Sequence, residues 1–166
     1  MLVLHRFEDG KTSNTGRLAL RCLPNSTLVI RGAPGQLIDD SRWSQPEDAV
    51  LLFPHADARP IESWRDHPRP LTLVVPDGTW RQAQRVRRRV PGLVNLPCAY
   101  LTRDAPSAYR LRTTWDPRRL ATLEAVAEAL GALEGPLPRE ALLRIFDIMV
   151  ERSLRLRYPT ARVPGT

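Results

Sequence analysis

Residues 71–90 read LTLVVPDGTWRQAQRVRRRV, and this stretch predicts a strand, a tight turn and a helix. Its first five residues are aliphatic or β-branched and uncharged, which is typical of a strand that is buried on both faces of a parallel sheet. We expect Pro76 to end the strand, because proline has no N–H for the ladder. The turn follows at residues 77–80, and the apolar positions then recur at helical spacing, at Ala83, Val86 and Val90.

The predicted turn is the candidate ligand site, because open α/β sheets bind ligands at the carboxyl ends of their strands. Asp77 is either a general base held at that edge or the N-cap of the following helix. Gly78 permits a positive φ angle or a close approach of the backbone to a ligand. Trp80 is either a platform on which a base stacks or a core side chain wedged between helix and sheet.

Short apolar strands and amphipathic helices alternate along the rest of the chain. We predict strands at residues 2–4, 27–30, 49–53 and 93–96, and helices at residues 15–23, 122–133 and 139–156, the first capped by Asn14 or Thr15. This alternation predicts an α/β fold with a mainly parallel sheet flanked by helices. A chain of 166 residues fits one domain. We place that domain at residues 1–157 and expect residues 158–166 to form a loose tail.

The composition describes a basic globular chain. Apolar residues make up 42% of the sequence, which argues against disorder. The net charge is +7, and Lys11 is the only lysine, so arginine carries almost all of the positive charge. Arginine matches phosphate geometry, which suits a nucleic-acid partner, but an arginine-rich codon usage with solvated surface charge explains the composition equally well.

Cysteine usage and hydropathy predict the cellular compartment of the protein. Cys22 and Cys98 are isolated in the sequence, which predicts neither a disulfide framework nor a zinc site. The first residues lack the apolar core of a signal peptide, and no stretch approaches the length of a membrane span. We therefore expect a cytoplasmic protein with no membrane partner.

A concentrated basic surface follows the turn. Arg81, Arg85 and Arg88 are spaced by four and three residues, so one helical face carries all three. Arg87 and Arg89 widen this surface, giving five arginines in nine residues with no acidic residue among them. The pattern favours phosphate binding over an ordinary solvated helix face. P-loop and dinucleotide-binding glycine motifs are missing from the sequence.

The motif Asp77-Gly78-Thr79-Trp80 resembles the signature of the DTW-domain family. Other blocks similar to those of the family follow its order over residues 2–131. They are His5-x-x-Glu8 with Asn14-Thr15-Gly16-Arg17, Leu51-Leu52-Phe53-Pro54 with Asp57-Ala58, Pro106-Ser107-x-Tyr109-Arg110-Leu111-Arg112, and Thr122-Leu123-Glu124-Ala125. Ala121 stands where the family block has a serine.

The resemblance implies a fold of the SPOUT class with a C-terminal knot, and S-adenosylmethionine as donor substrate with no metal. It also implies transfer of the 3-amino-3-carboxypropyl group to uridine N3 in tRNA, with release of 5′-methylthioadenosine. Asp77 is then the catalytic base, and Arg112 is our candidate for holding the donor carboxylate. The remaining donor-binding residues implied are Leu52, Pro54, Gly78, Thr79, Trp80, Leu111, Thr122 and Glu124. We predict that His5, Asn14 and Arg17 of the first block, and Arg81, Arg85 and Arg88 of the basic surface, bind the RNA.

Two other functions stay open at this point. A SPOUT-like RNA methyltransferase would use the same donor but transfer its methyl group. A non-catalytic RNA-binding module is the second alternative, because relatives carry an N-terminal cysteine cluster that has no counterpart in this sequence. The complete motif at residues 77–80 argues for catalysis over the binding module.

Overall fold

The computed structural model describes residues 1–11, 14–32, 35, 38, 43, 45–102, 106–111 and 119–158. Over these residues six strands form one parallel sheet in the order β2-β1-β5-β3-β6-β4. The strands are β1 Leu2–His5, β2 Leu28–Arg31, β3 Ala49–Leu52, β4 Arg59–Pro60, β5 Thr72–Asp77 and β6 Cys98–Tyr100. The predicted α/β class with a mainly parallel sheet is confirmed.

Helices cover both faces of the sheet. They are α1 Thr15–Cys22, α2 Trp80–Gln84, α3 Val86–Arg89, α4 Thr122–Glu134 and α5 Pro136–Arg157. Alternate strand residues point to opposite faces, so the core splits into two clusters. Leu4, Val50 and Val75 pack with α1, α4 and α5 on one face, whereas the other face packs with α2 and α3.

β5 joins the two halves of the sheet. Its first residues pair with β3, from Ala49↔Thr72 to Leu51↔Val74, and its last residues pair with β1, from Leu2↔Val75 to Leu4↔Asp77. The prediction that Pro76 ends the strand is wrong, because the pairing with β1 continues through it. Backbone N–H groups alternate sides along a strand, and that of Val75 donates towards β1. The N–H that Pro76 lacks would therefore point towards β3. The pairing with β3 has already ended at Val74, so the strand can continue through Pro76.

Two other elements differ from the prediction. The single helix expected up to Val90 is divided at Arg85, which has φ −89° and ψ −7°, into α2 and α3. Residues 93–96 are not a strand, because Gly92 with φ 77° starts a 3₁₀ turn at Leu93–Asn95. That turn buries Leu93 and Leu96, three residues apart, on one side. The next strand of the sheet, β6, begins two residues later, where Cys98 pairs with Leu51.

The three longer helices match their predictions closely. Asn14 caps α1 by accepting a hydrogen bond from the backbone N–H of Arg17 at 2.7 Å. α4 begins at Thr122 as expected, and α5 begins three residues before the predicted Arg139, with Pro136 in its first turn. Across the described ranges, no helix has both the length and the apolar character needed to cross a bilayer.

Candidate active site

The carboxylate of Asp77 lies where three elements meet at the C-terminal edge of the sheet. Its side chain is 6% exposed at the end of β5. The amide Nδ2 of Asn14, at the start of α1, donates to Asp77 Oδ2 at 2.8 Å. The hydroxyl of Thr122, at the start of α4, donates to Asp77 Oδ1 at 2.6 Å. Each oxygen therefore has one side-chain donor, and a carboxylate keeps further lone pairs that can take a proton.

Asp77 is not the N-cap of α2. That position belongs to Thr79, whose hydroxyl accepts from the N–H of Gln82 at 3.3 Å, while the Gln82 side chain accepts from the N–H of Thr79 at 2.7 Å. This capping box satisfies the first donors of α2 without Asp77. Between the two residues, Gly78 has φ +147°, and a Cβ there would lie 2.7 Å from Gln82 Oε1. The predicted positive φ of Gly78 is confirmed.

Gly16 in α1 lets Asp77 approach the helix. A Cβ on Gly16 would lie 2.6 Å from Asp77 Oδ2 and 3.0 Å from a methyl group of Leu2. Real side chains do not approach that closely, so any larger residue at this position must displace the carboxylate or α1. The sequence block Asn14-Thr15-Gly16-Arg17 therefore supplies both a donor for Asp77 and the space in which it sits.

Glu124 is a second buried carboxylate with a different set of partners. It is 1% exposed in the first turn of α4. Its Oε2 accepts from the N–H of Ala121 at 2.8 Å and from the hydroxyl of Ser107 at 2.5 Å, and its Oε1 accepts from the N–H of Ala108 at 2.7 Å. Glu124 thus fastens the segment at residues 106–109 to the start of α4. Its predicted contact with the donor stays a prediction.

Trp80 belongs to an aromatic group beside Asp77. It is 41% exposed, its ring centroid lies 4.9 Å from that of Phe53, and the guanidinium of Arg119 lies 5.0 Å from its centre. Phe53 stands between Leu52, which is buried, and Pro54, which is exposed. The loop after β3 and the turn after β5 therefore meet, as parallel strands ending at one edge require. Trp80 is neither a fully buried core residue nor an isolated surface residue.

The predicted arginine face is exposed on the opposite side of the sheet from α4 and α5. Arg81, Arg85 and Arg88 are exposed, and none of them forms an ion pair with a described carboxylate. Arg87 differs from these three, because its guanidinium pairs with Asp57 at 2.8 Å and donates to the Leu96 carbonyl. The division of the helix at Arg85 leaves all three side chains in solvent.

The other predicted site residues occupy different surroundings. Arg17 pairs with Asp9 and lines a cleft of about 620 Å³ together with Asn14 and the α5 residue Met149. Leu111 packs against the α5 side of the core, and its carbonyl accepts from Arg157 at 3.0 Å. Arg112 lies outside the described residues.

Several residues that shape this site were not singled out from the sequence. Phe53, Gly16 and Ser107 were included only as members of the family-like blocks, and none of them was given a role of its own. No sequence pattern pointed to Arg119, because its partner Trp80 is distant in sequence. The contact between Asn14 and Asp77 joins residues 63 positions apart, which only the strand order brings together.

Comparison with known proteins points to one family. The sequence profile described as "DTW domain" matches residues 1–154. A fruit-fly protein (Drosophila melanogaster) named tRNA-uridine aminocarboxypropyltransferase 2 is 38% identical over 150 residues, covering 87% of this chain and 60% of that protein. Proteins of the same name from Macaca fascicularis and Mus musculus are each 29% identical, covering 86% of this chain and 50% of their own length. No solved structure matches the chain significantly.

Proposed function

The chain belongs to the DTW domain family, and from this membership we propose that it is a tRNA-uridine aminocarboxypropyltransferase. S-adenosylmethionine is the proposed donor, and uridine N3 in tRNA is the proposed acceptor. The chain spans only about half to three fifths of the length of the curated relatives that it matches. The observation that carries the proposal is the buried carboxylate of Asp77, held at the sheet edge within the family's own motif.

We propose Asp77 as the general base. Uridine N3 carries a proton and is a weak nucleophile until that proton leaves. As N3 attacks the γ-carbon of the donor's methionyl group, the N3 proton passes to the Asp77 carboxylate. The carbon–sulfur bond breaks, and its electron pair neutralises the sulfonium, so that 5′-methylthioadenosine leaves uncharged. The hydrogen bonds from Asn14 and Thr122 support this role by fixing the direction of the carboxylate.

The aromatic group beside Asp77 is the proposed place for the donor. Trp80, with the buried ring of Phe53 behind it, offers apolar ring surface to the adenine or the methyl group, and the turn at Gly78 brings the backbone close to the same space. Glu124 contributes by holding residues 106–109 beside α4, which orients the segment that leads to Leu111. Arg112 is proposed to pair with the donor carboxylate. Most of the rate enhancement then comes from orientation, since the γ-carbon must face N3.

We place the fold in the SPOUT class and propose a knot in its C-terminal part. The mainly parallel sheet supports the class, as does the return of the chain after β6 to Asp77, where Thr122 contacts the carboxylate. The family match over residues 1–154 supports one domain at residues 1–157, followed by a tail. A cytoplasmic location is proposed because tRNA is the substrate.

The RNA is proposed to lie across the exposed arginine face. Three guanidinium groups without described carboxylate partners suit phosphates. We expect the triple variant with Arg81, Arg85 and Arg88 changed to Glu to weaken tRNA binding and to reduce its dependence on salt, because fewer counterions are released. Donor affinity should stay the same. An unchanged salt slope in this variant would contradict the proposed role of the face.

The main test is one incubation of purified protein, unmodified tRNA and S-adenosylmethionine, analysed by mass spectrometry. We expect 5′-methylthioadenosine among the small molecules and a uridine that carries the mass of the aminocarboxypropyl group. S-adenosylhomocysteine with a methylated nucleoside would instead identify an RNA methyltransferase. Bound tRNA without donor consumption would identify a non-catalytic RNA-binding module.

A further inference from the structure

Arg31 is a buried arginine with no acidic partner among the residues that the structure describes. It is the last residue of β2 and only 4% exposed. Its Nη2 donates to the backbone carbonyl of Gln82 at 2.8 Å, but its Nε is buried with no hydrogen-bond partner. The described residues place no carboxylate within ion-pair distance of it. Burying a charge without a counter-charge is costly, so an anion bound at this site would compensate the guanidinium.

The groups around Arg31 are also basic. His5 at the end of β1 pairs in register with Arg31, and Arg89 at the end of α3 lies close enough to act on both electrostatically. Burial, followed by the charge of Arg31, holds the pKa of His5 below its usual value. We call His5, Arg31 and Arg89 the basic edge. The positive potential of its two guanidinium groups favours an anionic ligand.

An exposed aromatic ring stands next to the basic edge. Phe7 is 63% exposed, and its ring centroid lies 5.2 Å from that of His5. The guanidinium of Arg6 lies 4.5 Å from the centre of the same ring. An aromatic ring beside grouped arginines is the arrangement with which proteins bind single-stranded RNA, where bases stack on rings and phosphates meet guanidinium groups. A free phosphate or a carboxylate would make no use of the ring.

The basic edge continues the line of the candidate active site. β2, β1 and β5 are consecutive in the sheet, and Arg31, His5 and Asp77 lie at their carboxyl ends. With strands about 4.8 Å apart, the Cα atoms of Arg31 and Asp77 lie roughly 10 Å apart along this edge. Their side chains leave opposite faces of the sheet, because Arg31 contacts the Gln82 carbonyl of α2, whereas Asp77 contacts Asn14 and Thr122 at the starts of α1 and α4. An RNA strand that passes over the edge from one face to the other would reach both residues. The geometry thus suits a nucleotide next to the one that reacts.

We propose that the basic edge and Phe7 bind one nucleotide of the RNA strand beside the target uridine. Its phosphodiester group contacts Arg31 and Arg89, and its base stacks on Phe7. This inference rests on the proposed function, since it takes tRNA as the substrate. It adds a subsite that adjoins the exposed face of Arg81, Arg85 and Arg88 at the end of α3.

The test compares three variants with a matched control. Arg31→Gln, Arg89→Gln and Phe7→Ala are made singly, and Arg144→Gln on the exposed side of α5 is the control. For each variant we would measure the melting temperature, the affinity for S-adenosylmethionine, and the affinity for unmodified tRNA over a range of salt concentrations. We expect Arg31→Gln and Arg89→Gln to weaken tRNA binding by about tenfold and to lower the salt slope by about 0.7 to 0.9.

The Phe7 variant separates stacking from charge. Phe7→Ala should weaken tRNA binding by about fivefold or more while leaving the salt slope unchanged, because a ring releases no counterions. Arg144→Gln should change neither quantity. Arg31→Gln also removes the bond to the Gln82 carbonyl and lowers the melting temperature. Arg89 and Phe7 are exposed, so their variants test the subsite without that complication.

Several outcomes would overturn the proposal. If Arg89→Gln and Phe7→Ala both bind tRNA like the control, Arg31 is a structural residue of α2. If the variants weaken donor binding and leave tRNA binding intact, the anion is the donor carboxylate. If the wild-type protein binds no tRNA, the proposed function itself fails. Titration with inorganic phosphate then shows whether an Arg31-dependent anion site exists without RNA, which would replace the nucleotide subsite.

Discussion

Asp77 and Glu124 are both buried carboxylates at the same end of the molecule, but they differ in what holds them. Asp77 accepts from two side chains, the amide of Asn14 and the hydroxyl of Thr122. Glu124 accepts from the backbone N–H groups of Ala108 and Ala121, and from one hydroxyl, that of Ser107. Both are satisfied, as buried charges must be.

The kind of donor suits the two carboxylates to different roles. Backbone N–H groups are fixed by the fold and have no acceptor to offer, so those of Ala108 and Ala121 hold the Glu124 carboxylate in one orientation. A hydroxyl can rotate and accept a hydrogen bond as well as donate one. Thr122 can therefore turn with a proton that moves onto Asp77, whereas the one hydroxyl at Glu124, that of Ser107, also accepts from the N–H of Tyr109 at 3.1 Å and is held by it. Asp77 thus suits acid–base chemistry, and Glu124 suits the fastening of a loop.

The largest expected effect is that of Asp77→Asn on transfer. The amide keeps the shape of the carboxylate, and Thr122 can turn its hydroxyl to accept from the new NH₂ group. We expect the free energy of unfolding to fall by no more than about 1 kcal/mol. Loss of the base should slow transfer about 10²- to 10⁴-fold with donor affinity unchanged. Transfer at the wild-type rate would show that Asp77 is not the base, and a large drop in melting temperature would make it structural.

Glu124→Gln tests the other member of the pair. The new NH₂ group must face a donor that cannot reorient, either the N–H of Ala108 or that of Ala121. We expect the free energy of unfolding to fall by about 2–3 kcal/mol, measured by urea denaturation. The matched control is Glu134→Gln at the exposed end of the same helix, which should change stability by less than about 0.5 kcal/mol. Equal stability of the two variants would contradict the structural role of Glu124.

Gly16→Ala should disturb Asp77 by crowding. Alanine is the better helix former by about 1 kcal/mol, so propensity alone predicts stabilisation. Because its Cβ would lie 2.6 Å from Asp77 Oδ2, we expect instead a net loss of about 1–2 kcal/mol and slower transfer. A double-mutant cycle with Asp77→Ala checks the cause, since removing the carboxylate should cancel the penalty. If the losses of stability in the two single variants simply add in the double variant, the added Cβ does not clash with the Asp77 carboxylate.

The smallest expected effect distinguishes two substitutions at one position. Thr122→Val keeps the volume but removes the donor to Asp77, which should cost about 1 kcal/mol of stability and slow transfer several-fold. Thr122→Ser keeps the hydroxyl and should stay within about 0.5 kcal/mol of the wild type, with near-normal transfer. Identical kinetics in the two variants would mean that the hydroxyl does not serve Asp77.

The sequence predicted the parts of the fold that depend on local pattern. The two-sided burial of β5, the cap at Asn14 and the extent of α4 all follow from periodicity and capping chemistry. The continuation of β5 through Pro76 was missed, because it depends on how far β3 reaches alongside it. The break at Arg85 was missed as well, since no proline or glycine marks it.

The sequence identified residues of the candidate site, but it did not predict how they contact one another. The motif identified Asp77, yet its local sequence also allowed a helix cap, and only the Thr79–Gln82 capping box excludes that role. The partners of Asp77 come from the beginning and the end of the chain. No local pattern encodes such pairings. Arg31 was overlooked for a similar reason, because an arginine that ends a strand is usually solvated.

The position of β5 has a consequence for how the chain folds during synthesis. β1 and β3 do not pair with each other, because β5 lies between them. A nascent chain that ends before Thr72 therefore holds a β1–β2 pair and an isolated β3, each with an unpaired edge. Forming the sheet requires contacts between residues more than 70 positions apart, such as Leu2 and Val75, which slows folding. We expect chains truncated at residue 70 to aggregate, and the sheet to close only after β5 has left the ribosome.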